Sequence, residues 1–135
     1  MLKFLKPLAV AGALFAAAVR ADSHGEAYLI SPVEGATVKS PVTVVFGLRG
    51  PWGVAPAGTQ VEHTGHHHLL VDAPVPPLDQ PIPKDANHIH FGAGQTETVL
   101  QLTPGKHTLQ LLLGNFAHVP HQPPVMSKPI TITVE

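Results

Sequence analysis

His66-His67-His68-Leu69-Leu70-Val71-Asp72 is a β-type run that keeps no helical period, and it gives way to Pro74, Pro76, Pro77, Pro81 and Pro83. Proline has no backbone N–H to place in a ladder, so those five exclude regular structure as far as Asp85. Outward from this run the chain repeats the pattern, with glycine and proline punctuating short extended segments. Upstream lie Ala27 to Ile30, ended by Ser31-Pro32, then a turn at Val33 to Ala36, a brief extension at Thr37-Val38, and Val42 to Leu48. Gly50 to Gly58, with Trp52, reads as a loop. Downstream come His88 to Phe91, the alternating Thr96 to Leu102, a turn at Thr103 to Lys106, the strongly apolar His107 to Leu113, and Ile130 to Val134. About seven strands with no helix predict an all-β fold, an antiparallel β-sandwich. There is no internal repeat, and no low-complexity tract beyond the proline loop.

The amino-terminal end has a different character. Met1 to Lys6 carries two lysines, Leu8 to Val19 is apolar throughout, and Val19-Arg20-Ala21 offers compact residues where a signal peptidase cuts. Residues 1–21 are expected to be a secretory signal peptide, cleaved after Ala21. The apolar run is too short to span ~30 Å of hydrocarbon as a permanent helix. No twin-arginine pair is present, so export through the general route is expected, to a periplasmic or secreted location. Residues 22–135 then form one domain.

Composition narrows the chemistry. The 135 residues carry 8 basic and 9 acidic groups, with 10 histidines, 15 prolines and no cysteine. Cleavage removes Lys3, Lys6 and Arg20 and none of the acids, leaving a net charge of −4. That balance argues against a nucleic-acid partner and against binding to anionic lipid. Without cysteine there is no disulfide, thiolate metal site, blue-copper centre or thiol nucleophile. Imidazole is the chain's one unusual chemical asset.

Alternation along a strand places His66, His68, Leu70 and Asp72 on one face and His67, Leu69 and Val71 on the other. The histidine pair and the acid mark the first of these as the wetter face. His66 and His68 sit about 7 Å apart along it, from a rise of ~3.4 Å per residue, and can converge on one ion. His88-Ile89-His90 repeats the offset, and His118-Val119-Pro120-His121 adds a third pair. His66, His68, His88, His90, His118 and His121 are therefore the candidate metal ligands. Copper(II) leads on intrinsic affinity for imidazole, with zinc(II) and nickel(II) possible, and Asp72 or Glu97 can complete a mixed site. Met126, alone after cleavage, cannot make a methionine-rich copper(I) site. His107, on the stripe of Leu109, Leu111 and Leu113, is expected to be a core histidine donating to a carbonyl, and His67 the same. Cleavage after Ala21 would also expose Asp22-Ser23-His24, whose amine, two amides and imidazole form a square-planar set for copper(II) or nickel(II).

Two resemblances add to this reading. Ile30 to Val38 followed by Ser40-Pro41-Val42-Thr43-Val44 resembles the opening strands of bacterial immunoglobulin-like domains, and Leu102 to Leu109 with Leu111 resembles their later turn and strand. That resemblance implies an immunoglobulin-like sandwich and says nothing of function. Thr64 to Leu70, Ile89-His90-Phe91-Gly92, Gly94 to Glu97, Leu111 to Gly114, His118 to His121 and Pro124 to Ser127 together resemble a family of small exported bacterial proteins of unknown function.

The expected function is binding, buffering or delivery of a transition metal, with the ion and another exported protein as partners and no catalysis. The alternatives are a pH-sensing or adhesive sandwich module and a metal-dependent enzyme. His88-x-His90, Glu97 and Pro104-Gly105-Lys106-His107 loosely resemble the metal motifs of cupins, though Glu97 lies further from His90 than that pattern allows. Ser23, Ser31, Ser40 and Ser127 lack the glycine-flanked elbow of a serine hydrolase.

Overall fold

Strand formation follows the punctuation. In a computed structural model that describes residues 11–13 and 24–135, nine strands run in chain order: β1 (Glu26–Ser31), β2 (Thr37–Val38), β3 (Val42–Arg49), β4 (Gly53–Val54), β5 (Thr64–Val71), β6 (His88–His90), β7 (Glu97–Leu100), β8 (Gly105–Gly114) and β9 (Ile130–Val134). Seven of them are three residues or longer, and the described residues contain no helix. The expected leader, apart from residues 11–13, lies outside the described residues, as do Asp22 and Ser23. Gly53–Val54, inside the segment expected to be a loop, adds a short strand beside β5.

Two sheets face one another. One has the order β1-β3-β7; the other runs β2-β9-β8-β5-β4, with β6 also on β5. The ladders are antiparallel except the two-residue pairings of β2 with β9 and β4 with β5. Ala27, Val42, Val44, Phe46 and Leu100 meet Leu69, Val71, Leu109, Leu111, Leu113, Ile132 and Val134 in one buried cluster. Each of the valine, leucine, isoleucine and phenylalanine side chains among them stabilises the fold by about 1.5–3 kcal/mol when fully buried. His67 points into this core beside Phe46, ring centroids 5.2 Å apart.

The opposite face of β5 is not wet, contrary to the expectation from its histidines and Asp72. His66, His68 and Leu70 are at most 1% exposed. The proline-rich segment cannot join the ladder, yet Pro76 and Ile82 within it are buried, and Ile82 N donates to His118 O (2.8 Å). That bond ties it to the loop after β8, and the two segments roof the face. Asp72 does not continue the alternation, because it follows the strand with φ 54°.

Candidate metal centre

Four histidines meet under that roof. Antiparallel pairing sets His90 of β6 opposite His68 of β5, and His66 lies two residues along β5 on the same face. The ligating atoms of His66, His68 and His90 all lie within 4.8 Å of one another, so the three can hold a metal ion. His118, from the loop after β8, brings a fourth ring to 4.7 Å from His90, 5.0 Å from His66 and 6.1 Å from His68. The remaining centroid separations are 4.7 Å for His66–His68, 5.0 Å for His66–His90 and 5.2 Å for His68–His90. Six nearly equal separations cannot lie in a plane; the rings surround a point.

Glycine makes the approach possible. Gly114 stands opposite His66 in the β5–β8 ladder, and a Cβ there would lie 2.7 Å from His68 Cε1 and 3.3 Å from His118 Cα. A Cβ on Gly92 would collide with the His90 ring. His118 itself adopts φ 67°, in the left-handed region that side chains rarely occupy. Asn115 holds it there: its Oδ1 accepts from Ala117 N (2.9 Å) and Val119 N (3.0 Å), and its N–H donates to Val119 O (2.8 Å). These seating residues carried no signal as candidates, because a glycine's or asparagine's role here depends on which ring lies above it.

The electrostatics favour neutral imidazole. Burial pushes His66 down to about 4, helped by the charges His118, His90, His67 and His121 would carry. Burial also pushes His68 down to about 3, with His66, His90 and His118 adding to it. His90 is lowered by burial, then by His118 and Lys84. Both ring nitrogens of His66, Nδ1 of His68, Nε2 of His90 and Nδ1 of His118 are buried with no hydrogen-bond partner in the protein. A buried polar atom left unpaired costs about 1–3 kcal/mol, and native structures rarely tolerate several together. Convergent neutral nitrogens are the donor set that zinc, copper and nickel accept, and coordination offsets that cost.

The other candidates go elsewhere. The two His-x-His pairs are strand neighbours, but register sets His88 opposite Leu70, and its Nδ1 donates to Asp85 Oδ1 (2.8 Å). That bond holds the Asp85 carboxyl below its usual range. His121 packs against Trp52, ring centroids 4.2 Å apart and planes tilted by 50°, and is lowered by burial, then by His63. Asp72 cannot complete a mixed site on the cluster: its Oδ2 accepts from His107 Nδ1 (2.6 Å) and its Oδ1 from Thr108 N (2.8 Å). His107 Nε2 donates to Thr103 O (2.7 Å), the expected carbonyl contact, and the two bonds raise its pKa. Glu97 lies on β7 in the other sheet, so the cupin-like set of His88, His90, Glu97 and His107 does not assemble. His67 is buried as expected but donates to no carbonyl; both its nitrogens are unpaired, and burial pushes it down to about 4. His24 Nε2 donates to Pro123 O (3.1 Å). A cavity of about 310 Å³ lies nearby, and none of the four clustered histidines lines it.

Residues 44–135 match a family described as a domain of unknown function, DUF4399. No curated protein and no solved structure matches the chain.

Proposed function

The chain belongs to the DUF4399 family, and we propose that it is an exported transition-metal-binding domain that holds copper(II) through His66, His68, His90 and His118. The observation that carries this reading is the set of buried, unpaired nitrogens on three histidines whose ligating atoms lie within 4.8 Å of one another. Copper(II) ranks first because divalent first-row ions bind nitrogen sites most tightly at copper. The donors on the cluster are nitrogen alone among the described residues, and no clustered histidine opens to the cavity beside it. A closed site of this kind suits buffering or delivery, where catalysis requires an open ligand position. The leader-like residues 1–21 support export, and in an exported protein imidazole, not thiolate, is the durable ligand.

Zinc(II) is the second reading, favoured by one observation. The four rings surround a point, and zinc accepts tetrahedral sets where copper(II) prefers tetragonal ones.

Calorimetric titration of copper(II), zinc(II) and nickel(II) into purified protein with a blocked amino terminus tests the proposal. The block removes any contribution from Asp22-Ser23-His24. One ion bound with Kd below about 1 μM, and lost in His66→Ala/His68→Ala, is expected. Tight binding that survives the double substitution, or none at all, rejects the site. Competition between the ions decides copper against zinc. Intact-mass measurement of the exported protein checks the leader: a chain beginning at Asp22 is expected, and an uncleaved chain rejects it.

A further inference from the structure

The loop after β8 carries two histidines that face different surroundings. His118 closes the cluster, whereas His121, three residues on, lies against Trp52 with its Nε2 buried and unpaired. The same indole is met edge-on by His63 at 5.3 Å, and His63 Nδ1 stands 3.7 Å from the Glu62 carboxylate. Trp52, Glu62, His63, Asn115, Phe116 and His121 all line the 310 Å³ cavity. His121 also abuts the cluster's own strand: a Cβ on Gly65, the residue before His66, would lie 2.9 Å from His121 Nε2. Asn115 thus both lines the cavity and ties down the backbone of the loop that carries His118.

The buried cluster poses a kinetic problem. A hydrated divalent ion must exchange its waters for imidazoles; His66 and His68 offer no exposed surface on which to begin, and His90 and His118 are partly exposed but their unpaired nitrogens are buried. Two imidazoles and an exposed carboxylate at a cavity form a weaker donor set on which that exchange can start, and the face of an indole favours a cation beside it. We propose that this cavity is the port through which the metal ion enters and leaves the buried cluster, with His63 and His121 as its transit ligands. This inference rests on the metal-binding reading above.

Trp52 is the chain's one tryptophan, so it reports on the port without labelling. Copper(II) mixed in a stopped-flow instrument with purified protein whose amino terminus is blocked is expected to quench Trp52 in a fast phase. A slower absorbance change then follows, as copper–imidazole bonds form in the cluster. His121→Phe keeps a ring against Trp52 and removes the ligand nitrogens. It should abolish the fast quench and slow loading by about tenfold or more, equivalent to at least 1.36 kcal/mol in the barrier. The final one-ion stoichiometry should remain. His63→Gln should slow loading less, and thermal unfolding of each variant reports whether its fold is intact. Loading of His121→Phe at the wild-type rate, with tight wild-type binding, overturns the port and leaves the cluster standing. Absence of tight binding in the wild-type protein overturns the metal reading and the port with it.

Discussion

A Cβ at Gly114 would stand 2.7 Å from His68 Cε1 and 3.1 Å from His68 Nδ1, distances at which the His68 ring must move. Gly114→Ala is therefore expected to weaken metal binding by about 10- to 100-fold, the range found when groups supporting a metal ligand are disturbed. Gly53→Ala, where an added Cβ meets nothing within 4 Å, is the control and should bind as the wild type does. Competition titration reads both; equal affinities would mean that Gly114 seats nothing. His67 tests the other face of the same strand. Its two unpaired nitrogens lie in the core, against Phe46 and away from the cluster. His67→Leu removes them, and urea unfolding should show a gain of about 1–3 kcal/mol with metal affinity unchanged. A loss of stability or of affinity would assign His67 a role that its surroundings do not indicate.

At the scale of elements, register and loop geometry select which histidines meet. The offset between β5 and β6 pairs His90 with His68 and leaves His88 beside Leu70, bonded to Asp85. His88→Ala should thus leave metal affinity near the wild-type value, while His90→Ala should abolish tight binding; calorimetry distinguishes them. The His118 loop depends on Asn115, whose side chain satisfies two backbone N–H groups. Asn115→Ala frees both and is expected to cost about 1–2 kcal/mol in urea unfolding. It should also lower metal affinity, because the φ 67° conformation of His118 loses its restraint. Unchanged stability in that variant would show that the loop is held by other means.

For the molecule as a whole, the buried histidines tie stability to acidity. His66 and His67 are held down to about 4 and His68 to about 3, against 6.5 for the free side chain. Within that window the unfolded chain binds more protons, so this stability is complete above about pH 6.5 and is lost as pH falls towards 4. His107 acts with the opposite sign: raised by Asp72 and Thr103, it contributes fully below pH 6.5, and its contribution is lost as pH climbs through its raised value. His90 and His121 are lowered as well, so five histidines oppose one, and the metal-free protein should melt at a lower temperature at pH 5 than at pH 7. Saturating metal at about 100 times Kd should add about 2.7 kcal/mol. Since His66 and His68 are already neutral at pH 7, their coordination should release almost no protons there. Calorimetry in buffers of different ionisation enthalpy checks this, and release of a full proton per ligand would contradict the neutral cluster.

The class of fold is readable from the chain alone. Proline and glycine mark where ladders must stop, and the apolar stripes of Leu69 and Val71 and of Leu109, Leu111 and Leu113 require a second sheet to bury them. The composition also singles out histidine as the candidate ligand, since a chain without cysteine has few other ways to bind a transition metal. Which histidines meet depends on packing between elements far apart in the chain. Alternation predicts the face of a side chain and nothing of its cover, so the buried roof over His66 and His68 was not legible. Register, set by long-range pairing, chose His90 over His88, and a backbone turn held by Asn115 chose His118 over His121. Spacing along a chain constrains neighbours a few residues apart, whereas a metal site is a coincidence of atoms from β5, β6 and a loop that only packing brings within 5 or 6 Å.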